Sequence, residues 1–178
     1  LIQAKNIDYN LSDLIHTDHL PFFKSASFMT IYLAPSDCHR IFSPIDGSLV
    51  SSYHFSGKKI PVREPFISKF KNLYCINERV VSIFRSQFGY AAMINVGALN
   101  VGCMSIQHHP NHQDTTFYMK NNDRIEYSST ISLNKGDWHS TFHLGSTVVL
   151  ILPDSLQFNS DLKPHMPLQY GQAIGTFR

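Results

Sequence analysis

Residues 147–152 read Thr-Val-Val-Leu-Ile-Leu, and this stretch decides the class of fold. A short run of β-branched and aliphatic residues favours a strand that is buried on both faces. Pro153 ends the run, because proline has no N–H to donate to a sheet. Shorter runs with the same preference occur along the chain, at residues 29–33, 49–53, 80–84, 91–104 and 125–133.

These patterns predict a mainly β domain with a few short helices, of the α+β type, in which the strands form one compact sandwich or barrel. The first 30 residues are the predicted helical region, with Ser12 as the cap of a short helix and Pro21 interrupting it. Three phenylalanines in this region favour core packing, and contact with lipid is the alternative; they are Phe22, Phe23 and Phe28.

The composition describes one globular domain over residues 1–178. Apolar residues make up 43% of the chain and charged residues 16%, which excludes a disordered segment. The net charge of +2 is too small to indicate nucleic acid and is compatible with anionic lipid head groups. Because the chain begins at Leu1 without an initiator methionine, we expect an N-terminal segment to be missing.

Three cysteines are spread through the sequence without a CxxC pair, namely Cys38, Cys75 and Cys103. Neither a disulfide framework nor a structural zinc site is therefore predicted, and a reducing compartment is the simplest interpretation. No apolar run approaches the ~20 residues that would span a bilayer.

The segment Leu144-Gly145-Ser146-Thr147 resembles the self-processing site of the phosphatidylserine decarboxylase family. Further segments resemble motifs of the same family and occur in its order. They are Tyr32-Leu33-Ala34-Pro35 with Asp37, His39 and Arg40; Asn77-Glu78-Arg79-Val80; Val96-Gly97-Ala98 with Val101-Gly102; Lys135-Gly136; and Gly171-Gln172. Together the matches cover nearly the whole chain.

The resemblance implies a cofactor that the chain makes for itself. The Ser146 hydroxyl attacks the carbonyl carbon of Gly145, and elimination from the resulting ester leaves a pyruvoyl group derived from Ser146. Glycine suits this position because no side chain blocks the attack and the strained backbone is tolerated. Serine is a poor nucleophile unless a base takes its proton. No metal is implied.

The implied activity is that of a carboxy-lyase, which decarboxylates phosphatidylserine to phosphatidylethanolamine. The pyruvoyl carbonyl condenses with the substrate amine and acts as the electron sink. His39 is the candidate for proton transfer. Asp37 either orients His39 or caps the local turn. Thr147 either supports the ester or is an ordinary strand residue.

Three departures from the family pattern bear on processing. The family's processing base, three residues after the position of His39, is Phe42 here. The family's aspartate lies upstream of the point where this chain begins. A glutamate and a glycine before the cleavage site are replaced by Trp138 and Ser140. His139 and His143 are the nearby candidates for a substitute base.

Two other groups of residues are notable. Of the histidines His108, His109 and His112, the outer two are four apart, but Pro110 and Asn111 favour a polar loop over a metal site. A basic stretch is either a solvated face or a contact for phospholipid phosphates. It comprises Lys58, Lys59, Arg63, Lys69 and Lys71.

The sequence leaves three functional interpretations. The first is a decarboxylase with a phospholipid substrate, peripheral on a membrane and on its cytoplasmic face. The second is an unprocessed pseudoenzyme of the same fold that binds phospholipid or a protein partner. The third is an unrelated β-domain binding module. No nucleic-acid partner is expected, and a homo-oligomer is left open.

Overall fold

The structure is a computed structural model that describes residues 2–4, 7–63, 65–99, 104–108, 117–118, 124–143 and 146–178. For residues 2–4, 7–9, 117–118, 124–126, 128–129 and 146, only the backbone is described. Everything said below about contacts or their absence refers to these residues.

Strands dominate the described part of the chain. They are β1 (Ile2–Ala4), β2 (Ile7–Tyr9), β3 (Ser27–Leu33), β4 (Arg40–Phe42), β5 (Gly47–Phe55), β6 (Arg79–Ser86), β7 (Gly89–Val96), β8 (Met104–Ile106), β9 (Phe117–Tyr118), β10 (Arg124–Leu133), β11 (Trp138–Phe142), β12 (Ser146–Leu152), β13 (Leu156–Phe158) and β14 (Gly175–Phe177). The helices are short: α1 (Leu11–Ile15), a 3₁₀ helix (Leu20–Phe23), α2 (Phe66–Lys69) and α3 (Leu73–Ile76).

The strands form two principal antiparallel sheets. One has six strands in the order β10-β5-β6-β7-β12-β3, and the other has four in the order β4-β11-β8-β9. β12 lies inside the six-stranded sheet, paired with β3 on one side and β7 on the other. This position explains why its sequence is apolar on both faces. Two small pairs, β1-β2 and β13-β14, complete the described topology.

The two principal sheets face each other. His139 Nε2 of β11 is 2.9 Å from Ser82 Oγ of β6, and the His139 ring lies edge-on to Phe84 at 5.2 Å. Asn95 Nδ2 of β7 donates to Ser140 Oγ of β11 at 2.8 Å. Side chains from both sheets therefore share one buried core. The prediction of a mainly β domain with short helices is confirmed.

The N-terminal region differs from its prediction as a helical segment. Strands β1 and β2 precede α1, and β3 begins already at Ser27. The cap of α1 is Asn10 rather than Ser12, since the Asn10 side chain accepts from the Ser12 N–H. Asn10 and Ser12, two residues apart, are both residue types that cap helices, and only the fold selects between them. Phe23 is buried, whereas Phe22 is 59% exposed and stacks on Tyr90.

The predicted strand region 91–104 is also divided. β7 ends at Val96 and β8 begins only at Met104, in the other sheet. The Gly97 N–H donates to Glu78 O at 2.8 Å and so continues the pairing with the neighbouring strand. The chain leaves the six-stranded sheet after Gly97. Cys38 and Cys75 are free thiols, and Cys103 lies outside the described residues. Within the described part, no helix is long and apolar enough to cross a membrane.

Candidate functional site

The ends of two connected strand pairs meet in the structure. Residues 34–39 carry the chain from β3 to β4, and β11 is followed in the chain by β12. The flanking residues contact each other: Leu33 is in register with Ser146, and the Phe142 N–H donates to His39 O at 3.0 Å. Leu144 and Gly145 lie outside the described residues. The fold thus brings the two ends of the His39 turn to the end of β11 and the start of β12.

Several strand ends meet at the same border of the six-stranded sheet. β3 ends at Leu33 and β7 ends at Val96, while β6 begins at Arg79 and β12 begins at Ser146. Thr147 pairs with Val96, and Val96 pairs with Arg79 on its other side. We call this border the site edge. Motifs that are far apart in sequence are therefore neighbours here.

His39 presents one free ring nitrogen. Its Nε2 lies 3.2 Å from Pro35 O, and a carbonyl oxygen can only accept a hydrogen bond. In the neutral ring, Nε2 therefore carries the proton and Nδ1 is left as the acceptor. Nδ1 is buried and has no hydrogen-bond partner among the described residues. This geometry leaves Nδ1 as a group that can accept a proton from a neighbouring residue.

Asp37 belongs to the turn that carries His39. Its Oδ2 accepts from the Ala34 N–H at 2.7 Å, and its own N–H donates to Ala34 O at 2.9 Å. Of the two roles considered for Asp37, the described contacts are those of a turn cap. Its influence on His39 passes through the turn backbone.

Thr147 is a buried strand residue with an unused hydroxyl. It is 1% exposed, lies in register between Tyr32 and Val96, and its Oγ1 has no partner in the described part of the chain. A buried hydroxyl without a partner costs about 1–3 kcal/mol. Thr147 therefore combines β packing with a free donor beside Ser146.

Asn95 was not predicted by the sequence reasoning. It is 1% exposed, pairs with Val148 on β12, and so lies diagonal to residue 146. Its Nδ2 donates to Ser140, while its Oδ1 has no described partner. The signal in the sequence was one amide in the apolar run 91–98. Ser140, where the family has glycine, is the residue that bonds it.

Asn77 holds the site edge together. Its Nδ2 donates to Ile60 O and to Gly97 O, both at 2.8 Å, and its Oδ1 accepts from the Ile60 N–H at 3.0 Å. Gly97 follows Val96, which pairs with Thr147. The asparagine of the Asn77-Glu78-Arg79-Val80 motif therefore has a structural role next to the processing segment.

The other two polar residues of this motif are also engaged. Glu78 contacts His54 Nε2 at 2.8 Å and Lys59 Nζ at 3.3 Å. Arg79 is 5% exposed and donates to the carbonyl oxygens of Leu14, Cys75 and Asp13 at 2.8, 2.8 and 2.9 Å. Burial lowers the pKa of Arg79. Three of the five N–H groups of this guanidinium are thus bonded to backbone carbonyls, one from each of its three nitrogens.

The substitute bases considered for Phe42 lie in different environments. Phe42 itself is half-buried, with its ring edge-on to Tyr170 at 5.4 Å. His139 is fully buried between the sheets, and burial, followed by the nearby His108, lowers its pKa to about 3. His143 is exposed, and its Nε2 is 3.3 Å from Ser105 Oγ. His139 is therefore neutral and committed to the core.

No group of three or more potential metal ligands occurs in the described residues. His109 and His112 of the predicted histidine cluster lie outside them, and His108 stacks at 6.4 Å from His139. The basic stretch is exposed at all five of its positions, Lys58, Lys59, Arg63, Lys69 and Lys71.

Fold and site define a two-sheet β protein in which the start of β12, at Ser146, pairs with the strand that leads into a histidine turn. The profile of the phosphatidylserine decarboxylase family matches residues 1–176 of this chain. The chain belongs to this family.

Curated relatives agree with the family assignment. A phosphatidylserine decarboxylase proenzyme of Nitrosococcus oceani is 35% identical over 98% of this chain and 58% of its own length. The corresponding proenzyme of Coxiella burnetii is 34% identical over 99% of this chain and 63% of its own length. The proenzyme of Halorhodospira halophila is 32% identical over 100% of this chain and 60% of its own length. The chain thus spans 58–63% of the length of these relatives.

Proposed function

We propose that the chain is the catalytic part of a phosphatidylserine decarboxylase that cleaves itself between Gly145 and Ser146 and uses the pyruvoyl group formed from Ser146. The observation that carries the proposal is the pairing of the strand ends, with Leu33 opposite Ser146 and His39 O bonded to the Phe142 N–H. This pairing supports the assignment of His39 as the proton acceptor for cleavage before Ser146. The proenzyme names of the relatives support the same activity.

Cleavage needs only groups of this chain and one water molecule. The Ser146 hydroxyl adds to the carbonyl carbon of Gly145, the C–N bond breaks, and the hydroxyl proton passes to the released amine. Loss of the Ser146 α-proton then expels a carboxylate that ends at Gly145. The remaining enamine takes up water and releases ammonia, which leaves the pyruvoyl group.

The residues around position 146 fit such a group. Thr147 Oγ1 and Asn95 Oδ1 are buried without described partners, and one residue follows Ser146 while the other is diagonal to it. Buried polar atoms normally have hydrogen-bond partners, so these two unpaired atoms are explained by a polar group that forms next to them after folding. Once formed, the pyruvoyl carbonyl supplies an electron sink for the loss of carbon dioxide. In the proposal His39 Nδ1 moves the proton, the Thr147 hydroxyl donates to the pyruvoyl group, and Asn95 Oδ1 accepts from the substrate amine.

Intact mass spectrometry tests the proposal. In the wild type, we expect a fraction of the 20.3 kDa chain to separate into residues 1–145 and 146–178, the second beginning with a pyruvoyl group. Ser146→Ala should give no cleavage and no decarboxylation of phosphatidylserine vesicles. The matched control, Ser160→Ala, changes an exposed serine and should behave as wild type. Decarboxylation by the Ser146→Ala chain would contradict the mechanism.

The proposal extends to peripheral contact with a membrane that supplies the phospholipid substrate. The exposed basic stretch follows β5, whose end at Phe55 pairs with Arg79 at the site edge. Lys58 is bonded there through its backbone, since its N–H donates to Ile76 O and its O accepts from Glu78. Exposed lysine and arginine near an anionic surface contribute about 1 kcal/mol each.

Vesicle sedimentation tests this contact. Lys58→Glu with Arg63→Glu should reduce binding to vesicles that contain phosphatidylserine by about 10-fold or more. Binding to pure phosphatidylcholine vesicles should be weak for all variants. Lys24→Glu with Arg85→Glu makes the same change of net charge at two exposed residues of the opposite border and is the control for charge alone. Equal losses in both variants would argue against a contact at the site edge.

A further inference from the structure

The C-terminal segment reaches back to the turn that carries His39. Tyr170 lies in a tight turn in which the Gln172 N–H donates to Gln169 O at 3.1 Å and Gly171 has a φ of +77°. Only glycine adopts this left-handed conformation without strain. This C-terminal segment is anchored by Asn159, whose Nδ2 donates to Ala173 O at 2.8 Å.

The Tyr170 hydroxyl contacts the backbone on both sides of His39. It donates to Cys38 O at 2.9 Å and to Arg40 O at 2.6 Å. One phenol proton is thus shared between two carbonyls, and the residue between them is His39. Burial, with further contributions from Cys38 and Asp37, raises the pKa of Tyr170 to about 12. The phenol is therefore protonated, and able to donate, at neutral pH.

The ring of Tyr170 is supported by Phe42. The two rings are 5.4 Å apart between centroids and nearly perpendicular, at 84°. Edge-to-face pairs of this kind contribute beyond their buried area. The residue that replaces the family's second histidine is thus the residue against which Tyr170 packs.

We propose that Tyr170 is a positioning residue that fixes the His39 turn through the carbonyls of Cys38 and Arg40, with Phe42 as its support. The proposal rests on the proposed function in that His39 is taken as the proton-transfer group. With the backbone fixed on both sides, Nε2 stays bonded to Pro35 O and Nδ1 stays the free acceptor. Tyr170 acts on the reaction only through His39.

The primary test reads His39 directly, without relying on activity. In the Ser146→Ala chain, which stays uncleaved, nitrogen NMR of the histidine side chains should show His39 as the Nε2–H tautomer. Adding Tyr170→Phe should give a mixture of tautomers or exchange broadening at His39 alone. Tyr90→Phe removes the phenol of the half-buried Tyr90, which stacks on Phe22, and should leave His39 unchanged. An unchanged His39 spectrum in Tyr170→Phe would overturn the proposal.

Kinetics of the processed protein provide a second readout. Tyr170→Phe should lower kcat for decarboxylation by about 3- to 10-fold, the effect of one hydrogen bond, with KM unchanged. A purely structural role would instead lower thermal stability and leave kcat per folded molecule as in wild type, which would also overturn the proposal. Absence of decarboxylation in the wild type would contradict the proposed function and leave the NMR result standing on its own.

Discussion

Phe42 is the single residue at which this chain departs most sharply from its family's implied chemistry. The position lies on β4, paired with Trp138, and its side chain packs on Tyr170. A phenyl ring cannot accept a proton, so the activation of Ser146 lacks the group that the resemblance places there. The candidate base that remains is His39, three residues before Phe42, whose Nδ1 has no partner among the described residues.

We therefore predict that the wild-type protein is isolated partly uncleaved. Phe42→His should raise the rate of cleavage, because residues that activate a nucleophile contribute up to several powers of ten. Intact mass measured over time gives the rate. Phe42→Leu, which also removes the phenyl ring but adds no base, is the control and should not cleave faster than wild type. Complete cleavage of the freshly purified wild type would show that Phe42 is harmless.

At the scale of elements, the connection between β5 and β6 is fastened to the end of β7. Asn77 makes three hydrogen bonds, to both backbone groups of Ile60 and to Gly97 O, and is fully buried. An isolated bridge between Lys58 and Asn77 runs in parallel beside it. The Asn77 side chain thus fixes the loop at Ile60 to the end of β7, the strand that pairs with β12.

Asn77→Leu should lower the free energy of unfolding by about 3 kcal/mol, because it leaves a buried N–H and two carbonyl oxygens without a partner. Denaturation in urea measures the change. Gln87→Ala, in the exposed turn between β6 and β7, is the control and should stay within about 0.5 kcal/mol of wild type. A cost of less than about 1 kcal/mol for Asn77→Leu would mean that the three bonds are replaced by water.

At the scale of the whole molecule, a polar chain crosses the space between the two sheets. Tyr127 OH donates to Ser52 Oγ at 3.3 Å, Ser52 Oγ lies 3.3 Å from Ser82 Oγ, and Ser82 Oγ lies 2.9 Å from His139 Nε2. His139 is the member that titrates in the acid range. Burial, with a smaller contribution from His108, lowers the pKa of His139 from 6.5 to about 3.

The sandwich should lose stability as the pH falls below about 6.5. Above this value His139 is neutral whether the chain is folded or unfolded. Below it, the unfolded chain binds a proton that the folded chain excludes until about pH 3. The free energy of unfolding should then fall by up to about 1.4 kcal/mol per pH unit from this residue.

Denaturation in urea between pH 7 and pH 4 measures this slope. His139→Gln keeps a group that can bond Ser82 but removes the titration, and should flatten the slope. His165→Asn is the control, since His165 is exposed and asparagine tolerates its left-handed φ of +67°. An identical slope in wild type and His139→Gln would show that other groups dominate the acid response.

The sequence by itself determined the fold class, the main strands and the family. β12 could be predicted because a strand inside a sheet is apolar on both faces, and residues 147–152 are apolar almost throughout. The motif residues Ser146, Gly145 and His39 are predictions from sequence, since each is defined by its neighbours in the chain. The helix cap at Asn10 was missed because Asn10 and Ser12, two residues apart, carry the same local signal.

Only the tertiary structure decided which residues surround the candidate site. Asn95 and Tyr170 are 51 and 24 residues away from Ser146 in sequence, and no local pattern connects them to it. Pairing between strands joins Asn95 to β12, and a return of the C-terminal arm joins Tyr170 to the His39 turn. Such contacts are set by register and by the closure of long loops. The local preferences of the sequence do not specify these contacts, because each contact depends on how all the strands between the two residues are placed.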